Sequence, residues 1–506
     1  MTRFSIAGAM LSFIVFAPPD AHCQVRSGDV VDTAQFIDQQ IDKQLSAANI
    51  PASPACSDSD FLRRLCLDLH GRIPTADQAR QFLDDTREDK RARLIDARLA
   101  HEDYGIWMGD VWLHRLFPER SSQNKVKPGP LREWLTAGFN QNRPWNALSY
   151  DLLTGTGEDT HANPAVTVFL NDSGTLKPEE AADLVVPVFL GVKIECAQCH
   201  DHPFNELTQD DYWGMAAFFT KLVRDGKGTS ETRGLVERVN KKLKLPPYAK
   251  EVPAKFLGGA EPELDPDGPY RPTLARWITA EDNPYFARAI VNRVWAHFFG
   301  LGIVNPVDDM DDNRPSHPKL LSGLAERFVA SGYDMKYLVG SIVNSAAYQR
   351  SLRPVQGNEK DAAAYGRKPV RLLTPLELFD SLKTLGIIGN HPPHKLRVER
   401  RRFAHFFQAG DDPLDYDRGI PQLLLLMNSK KYNASQFRQV QALVKQLETA
   451  DKVLEAIYLS ILSRRPTEAE HSKMTALLDT TTSRTLTDSA TDIYWVLLNT
   501  SEFRLR

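Results

Sequence analysis

Asn283-Pro-Tyr-Phe-Ala-Arg-Ala-Ile-Val-Asn-Arg-Val-Trp-Ala-His-Phe-Phe-Gly300 reads as one complete helix with both of its ends written in. Asn283 supplies a cap, Pro284 suits the first turn because its missing N–H is not needed there, and Gly300 stops the helix. Phe286, Ile290, Val294 and His297 fall on one face, so the segment should bury a single stripe. A lone histidine on such a stripe is more often a hydrogen-bonded core residue than a ligand.

The same punctuation recurs on either side. Ile37, Ile41 and Leu45 repeat at helical spacing behind a cap at Asp32 or Thr33. Thr75-Ala-Asp-Gln78 follows Pro74 as a capping box. Residues 175–190 start a helix at Pro178 with two glutamates beside it, and Pro187 should kink or end it. Further amphipathic stretches cover 320–329, 337–348, 376–385 and 453–462, while strand-like alternation is scarce. The fold class expected is mostly α.

From 225 to 271 the texture turns polar and charged and then proline-dense, from Pro246 through Pro269. Such a stretch reads as an irregular linker. The expected organisation is a signal peptide at 1–23, an N-terminal helical domain at 30–224, the linker at 225–271 and a C-terminal helical domain at 272–506. A chain of 506 residues is too long for a single core, which agrees with more than one body.

The formal net charge of −3 gives no electrostatic case for a nucleic-acid partner. Arg3, an apolar run from Phe4 to Ala17 and the small residue Ala21 form a secretory signal, with cleavage near Ala21 or Cys23. No later stretch is long and apolar enough for a transmembrane helix, so the expected location is the periplasm or cell envelope. Once the signal is removed four cysteines remain, and Cys56 and Cys66 read either as a disulfide or as buried small side chains.

Cys196-Ala-Gln-Cys-His200 carries the chemistry. Two cysteines three apart followed at once by histidine is the attachment arrangement of c-type haem, and chance would produce it about once per thousand chains of this composition. On this reading Cys196 and Cys199 hold the porphyrin by thioether bonds and His200 binds iron. Met215, Met108, Met310, His114 and His297 are candidates for the second iron ligand. His202 stands too near His200 to reach the opposite face and reads as a supporting residue or part of a different metal site. The cluster Cys196, Cys199, His200 and His202 also permits zinc, and Cys196 with Cys199 permits a disulfide.

These and other segments resemble a known family. Phe61-Leu-Arg-Arg-Leu-Cys-Leu-Asp-Leu-His-Gly-Arg-Ile-Pro-Thr75 and Leu190-Gly-Val-Lys-Ile-Glu-Cys-Ala-Gln-Cys-His-Asp-His-Pro-Phe204 are similar to two signatures of domain of unknown function fifteen-forty-nine, abundant in planctomycetes and described as cytochrome-c-associated. Asn283 to Gly300, Ser316-His-Pro-Lys-Leu-Leu321 and Ser345-Ala-Ala-Tyr-Gln-Arg-Ser351 resemble its companion, domain fifteen-fifty-three. The resemblance covers most of the chain beyond residue 30 and implies a cytochrome association without assigning a reaction.

Three weaker features complete the reading. Asp308, Asp309, Asp311, Asp312 and Asn313 could hold calcium, or form an acidic turn paired with Arg293 or Arg314. Arg400-Arg-Arg402, with Lys395 and Arg397, could meet a sulfated glycan, or serve as a solvated face and internal ion pairs. His391 and His394 flank Pro392-Pro393 in a loop. No nucleotide-binding glycine loop and no Gly-x-Ser-x-Gly elbow occurs. The function expected is an exported c-type haem protein that transfers electrons with a redox partner protein or carries out haem-dependent redox chemistry. The alternatives are a cell-envelope binding or scaffold protein with a structural Cys-His metal site or disulfide, and an enzyme acting on polysaccharide.

Overall fold

The structure is a computed structural model that describes residues 27–117, 126–171, 174–203, 205–225, 234–238, 246–310, 314–361, 363–389, 391–407, 419–447, 449–478 and 485–506. The expected signal peptide at 1–23 and the acidic residues Asp311, Asp312 and Asn313 lie outside these. The fold is mostly α. Strand ladders among the described residues are confined to two short antiparallel pairs, Leu170–Asn171 with Gly174–Thr175 and Leu222–Asp225 with Gly234–Glu237. No helix among the described residues is long and apolar enough to cross a membrane.

The helix Asp58–His70 organises the whole. Its apolar residues surround the axis, and every residue from Phe61 to His70 is buried. Phe61, Leu62, Leu65 and Leu69 enter one core with Ile37, Trp112, Trp145, Phe286, Trp295 and Leu338. Leu67 enters a second core with Leu378, Ile457 and Tyr494. Two arginines are carried inward as well, and each ends on backbone carbonyls rather than on a carboxylate. Arg63 donates to the carbonyls of Ile461 at 2.9 Å and Phe503 at 2.5 Å, and Arg64 to those of Tyr348 at 2.6 Å and Arg350 at 3.1 Å. Helix and loop ends leave carbonyls unpaired, and a guanidinium satisfies two at once.

Asp68, on the same helix, is fully buried. It accepts from Arg371 at 2.9 Å, from Tyr348 Oη at 2.8 Å and from Arg506. Burial alone would raise its carboxyl, but Arg506 and Arg371 more than offset this and hold it well below the usual range. Arg506 also pairs with the buried Glu377 at 2.9 Å. His297 donates from Nε2 to the Asp68 carbonyl at 3.0 Å, so the structure places this histidine in the network as a hydrogen-bonded residue.

The first core draws on helices from both sides of 225–271, so burial by itself marks no division there. The irregular 246–270 stretch is packed down. Phe256 stacks between Phe218, with ring centroids 5.4 Å apart, and Trp277 at 4.7 Å. Lys221 Nζ donates to the carbonyls of Pro266 and Gly268, both at 2.6 Å.

Local signals fared well in this frame. Thr75 and Gln78 exchange both bonds of the capping box. Asn283 accepts the amides of Tyr285 at 2.9 Å and Phe286 at 3.0 Å, and the helix runs Phe286–Phe299 before Gly300 turns left-handed at φ 79°. Its start is therefore two residues later than Pro284, because the asparagine reaches forward across the proline.

Candidate functional site

The approach to the Cys-x-x-Cys-His turn is built by Pro187. The helix Pro178–Val185 meets a residue with no N–H to donate, and the backbone widens into a π-helical turn, Val186–Leu190. The carbonyls loosened there are collected by Arg293, which donates to Pro187 at 2.5 Å and Val188 at 3.2 Å. Asp308 lies close enough to Arg293 to favour its buried charge, which gives this carboxylate an electrostatic role. Gly191 then ends the turn at φ 69°. A Cβ on it would lie 2.7 Å from Met310 Sδ and 3.1 Å from Ala289, so glycine is required both for its conformation and for the close approach. Met310 N donates to the Gly191 carbonyl at 2.8 Å.

Beyond Gly191 the chain forms a short 3-10 turn, Glu195–Gln198. Ile194 and Ala197 are buried and fix the turn, whereas Cys196, Cys199 and His200 are exposed. Both cysteines are free thiols, as are the buried Cys56 and Cys66. The helix Gln209–Ala217 clamps the turn from behind. The Gln198 carbonyl accepts Trp213 Nε1 and Gln209 Nε2, each at 3.1 Å, and the Gln209 amide donates to Asp201 at 2.8 Å.

The His200 ring has a defined sense. Its Nδ1 lies 2.7 Å from the Asp201 carbonyl, which can only accept, so Nδ1 carries the proton and Nε2 keeps its lone pair. His202 serves a neighbouring turn, where its Nδ1 accepts the Asn205 amide at 3.2 Å and its own amide donates to Leu207. Among the described residues, three metal-binding groups come within 4.8 Å of one another only elsewhere, at His70, His101 and Asp103. The four residues of the zinc alternative are therefore not drawn together at this turn.

The candidates for a second iron ligand are scattered. Met215 and Met108 are enclosed in the first core, Met310 is half-buried on Gly191, His114 is exposed, and His297 is bonded to Asp68. Asp309 donates its amide to the Pro306 carbonyl at 3.3 Å. The basic run is partly absorbed by internal pairs. Arg400 bridges Asp110 at 2.9 Å and Asp380 at 2.6 Å, while Arg401 and Arg402 remain exposed. His391 and His394 line a cavity of about 470 Å3 with Lys395, Val398, Glu399 and Arg402.

Sequence reading missed Asp183 and Tyr212. Tyr212 donates to Asp183 at 3.0 Å, yet burial and then the glutamates Glu195, Glu179 and Glu180 push the Asp183 carboxyl up to about 7. The pair stands on the two helices that flank the Cys-x-x-Cys-His turn. No spacing rule could find it, because its members are 29 residues apart.

Two family models match the chain. Residues 36–224 match PSCyt2, a protein of unknown function (DUF1549), and residues 270–391 match PSD1, a protein of unknown function (DUF1553). No curated protein and no solved structure matches it. The turn at 195–200 lies in the first match, and Arg293, Asp308 and Met310, which support its approach, lie in the second. The chain belongs to the proteins that carry these two domains of unknown function, DUF1549 followed by DUF1553.

Proposed function

We propose that the chain is an exported c-type haem protein that transfers electrons to or from a redox partner protein, with the haem held through Cys196 and Cys199 and ligated by His200. The observation that carries this reading is the turn itself: two exposed free thiols and an exposed imidazole stand on one clamped turn that is anchored by the buried Ile194 and Ala197. Attachment chemistry needs thiols that an outside group can reach, and a helix clamp that keeps them three residues apart without moving. The His200 tautomer fits as well. With Nδ1–H given to the Asp201 carbonyl, Nε2 is the nitrogen left for iron, and the carbonyl fixes the ring plane. Haem in such a place supplies a one-electron carrier. The name PSCyt2 of the matching family points the same way.

The test is expression with a c-haem maturation system, followed by peroxidase staining on a denaturing gel and by intact mass. One haem retained after denaturation, and lost at one bond in Cys199→Ser, is the expected result. A colourless, folded product with both thiols unmodified sinks the proposal.

A second reading draws on the same exposure. A scaffold role with Cys196 and Cys199 as a surface dithiol or disulfide is its competitor, since both thiols are exposed and stand three residues apart. Counting reactive thiols before and after mild reduction separates the two.

A further inference from the structure

A second cluster of ligand-type side chains lies where the helix Asp58–His70 ends and the helix Glu102–Leu116 begins. His70, His101 and Asp103 bring their donor atoms within 4.8 Å of one another, and their rings and carboxylate converge from two separate helices.

The proton positions are what make this cluster unusual. His70 Nε2 stands 2.9 Å from the Arg98 carbonyl, so it must donate, and its Nδ1 lone pair is left facing Asp103 Oδ2 at 3.8 Å. His101 Nδ1 accepts the Asp103 amide at 3.1 Å, so it is unprotonated and its lone pair is held by that amide, 3.6 Å from the same oxygen. Two unprotonated imidazole nitrogens and a carboxylate thus lie around one small volume.

Arg72 neutralises part of the Asp103 charge, but both of its hydrogen bonds, at 2.6 and 3.2 Å, end on Oδ2. Asp103 Oδ1 carries no hydrogen bond among the described residues. We propose that His70, His101 and Asp103 form a binding site for a divalent transition-metal ion such as zinc, with a coordination position left open to solvent. Two imidazoles and one carboxylate suit zinc, cobalt or nickel, whereas calcium and magnesium require a shell of oxygens. The Arg98 carbonyl behind His70 and Arg72 behind Asp103 are the outer bonds that hold such ligands in line. His101 is exposed and Asp103 half-buried, so the ion can enter and keep water as a further ligand. Coordination through His101 Nδ1 exchanges the amide bond it now accepts for the metal.

The experiment uses the full chain, stripped with a chelator, in the Cys196→Ser, Cys199→Ser background so that the other cluster cannot report. Zinc alone is titrated by calorimetry, and cobalt is added as a spectroscopic probe. The expected result is one zinc per chain, with cobalt bands of nitrogen and oxygen ligation and no thiolate charge-transfer band. His101→Ala and Asp103→Asn should each weaken binding, on the order of 100-fold. His101 is a surface residue, so its variant tests the site without emptying a core. Absence of zinc binding in the double-serine background overturns the proposal, and so does binding unchanged by both substitutions.

Discussion

Asp68 and the turn at 195–200 are opposite uses of reactive groups in one molecule. Around Asp68 the charges are shut away and matched: one carboxylate meets Arg371, Arg506 and Tyr348, and its backbone carbonyl takes His297. Around Cys196 the apolar residues are shut away, and the chemically active ones face outward. The first arrangement spends its charges on one another, away from solvent. It joins a helix of the first family match to residues in and beyond the second, and its work is architectural. The second is clamped from behind and leaves two thiols and the Nε2 edge of His200 facing outward, which is what the proposed haem attachment requires.

The contrast can be broken at several points. Asp68→Ala removes the anion that Arg371 and Arg506 share and leaves both guanidinium groups buried without it, so it should cost about 3–5 kcal/mol, read from chemical denaturation. A smaller loss would mean that the arginines find other acceptors.

Acid should act on stability before the carboxylates titrate. Burial lowers His70 and His317 to about 4 and His297 to about 3, from an ordinary value of 6.5. Below 6.5 the unfolded chain takes up protons that the folded chain refuses. The stabilisation is therefore complete above that pH and lost as pH falls towards 4, on the order of a few kcal/mol in total. Asp183, raised to about 7, works in the opposite sense across that window, since its folded form holds a proton that the unfolded carboxyl gives up, and it offsets part of the loss from the three histidines. Denaturation midpoints measured from pH 8 to pH 4 should fall, and His297→Gln should flatten the curve.

Gly71→Ala drives a Cβ into the Trp107 ring at φ 65°. About 1–3 kcal/mol of destabilisation is expected in a thermal melt. Thr75→Ala removes one half of the capping box, for about 1 kcal/mol by the same assay. Cys199→Ser stands at the far end: stability should move by less than about 0.5 kcal/mol, while covalent haem at that thiol disappears. A large loss of stability in this variant would show that the turn is structural after all, and the contrast with Asp68 would fail.

Local chemistry was legible wherever a residue acts on its neighbours. Thr75 with Gln78, Asn283, Pro187 and Gly300 each announce a helix end or a break, because caps, missing amides and left-handed turns are settled within about four residues. The Cys-x-x-Cys-His turn was visible for the same reason. Its surroundings were not. Arg293 and Met310 come from a segment about a hundred residues later, and the methionines that sequence alone offers as iron ligands differ chiefly in depth, which spacing does not encode.

The basic run at 400–402 shows the limit most plainly. As a string it is three equal charges, yet Arg400 points between Asp110 and Asp380 while its two neighbours stay in water. Helical geometry turns successive residues by about 100°, and only the packing partners decide which direction is inside.

By itself, the amino-acid order determined the helical class, the ends of several helices, the cysteine-histidine turn and the kinship, since each rests on neighbours along the chain. Tertiary structure alone decided that Asp68 meets Arg506, that Asp183 meets Tyr212 and that His70 meets His101 and Asp103. Those meetings depend on burial and on contacts between distant helices, and the free energy of a buried charge is set by whatever the fold places beside it.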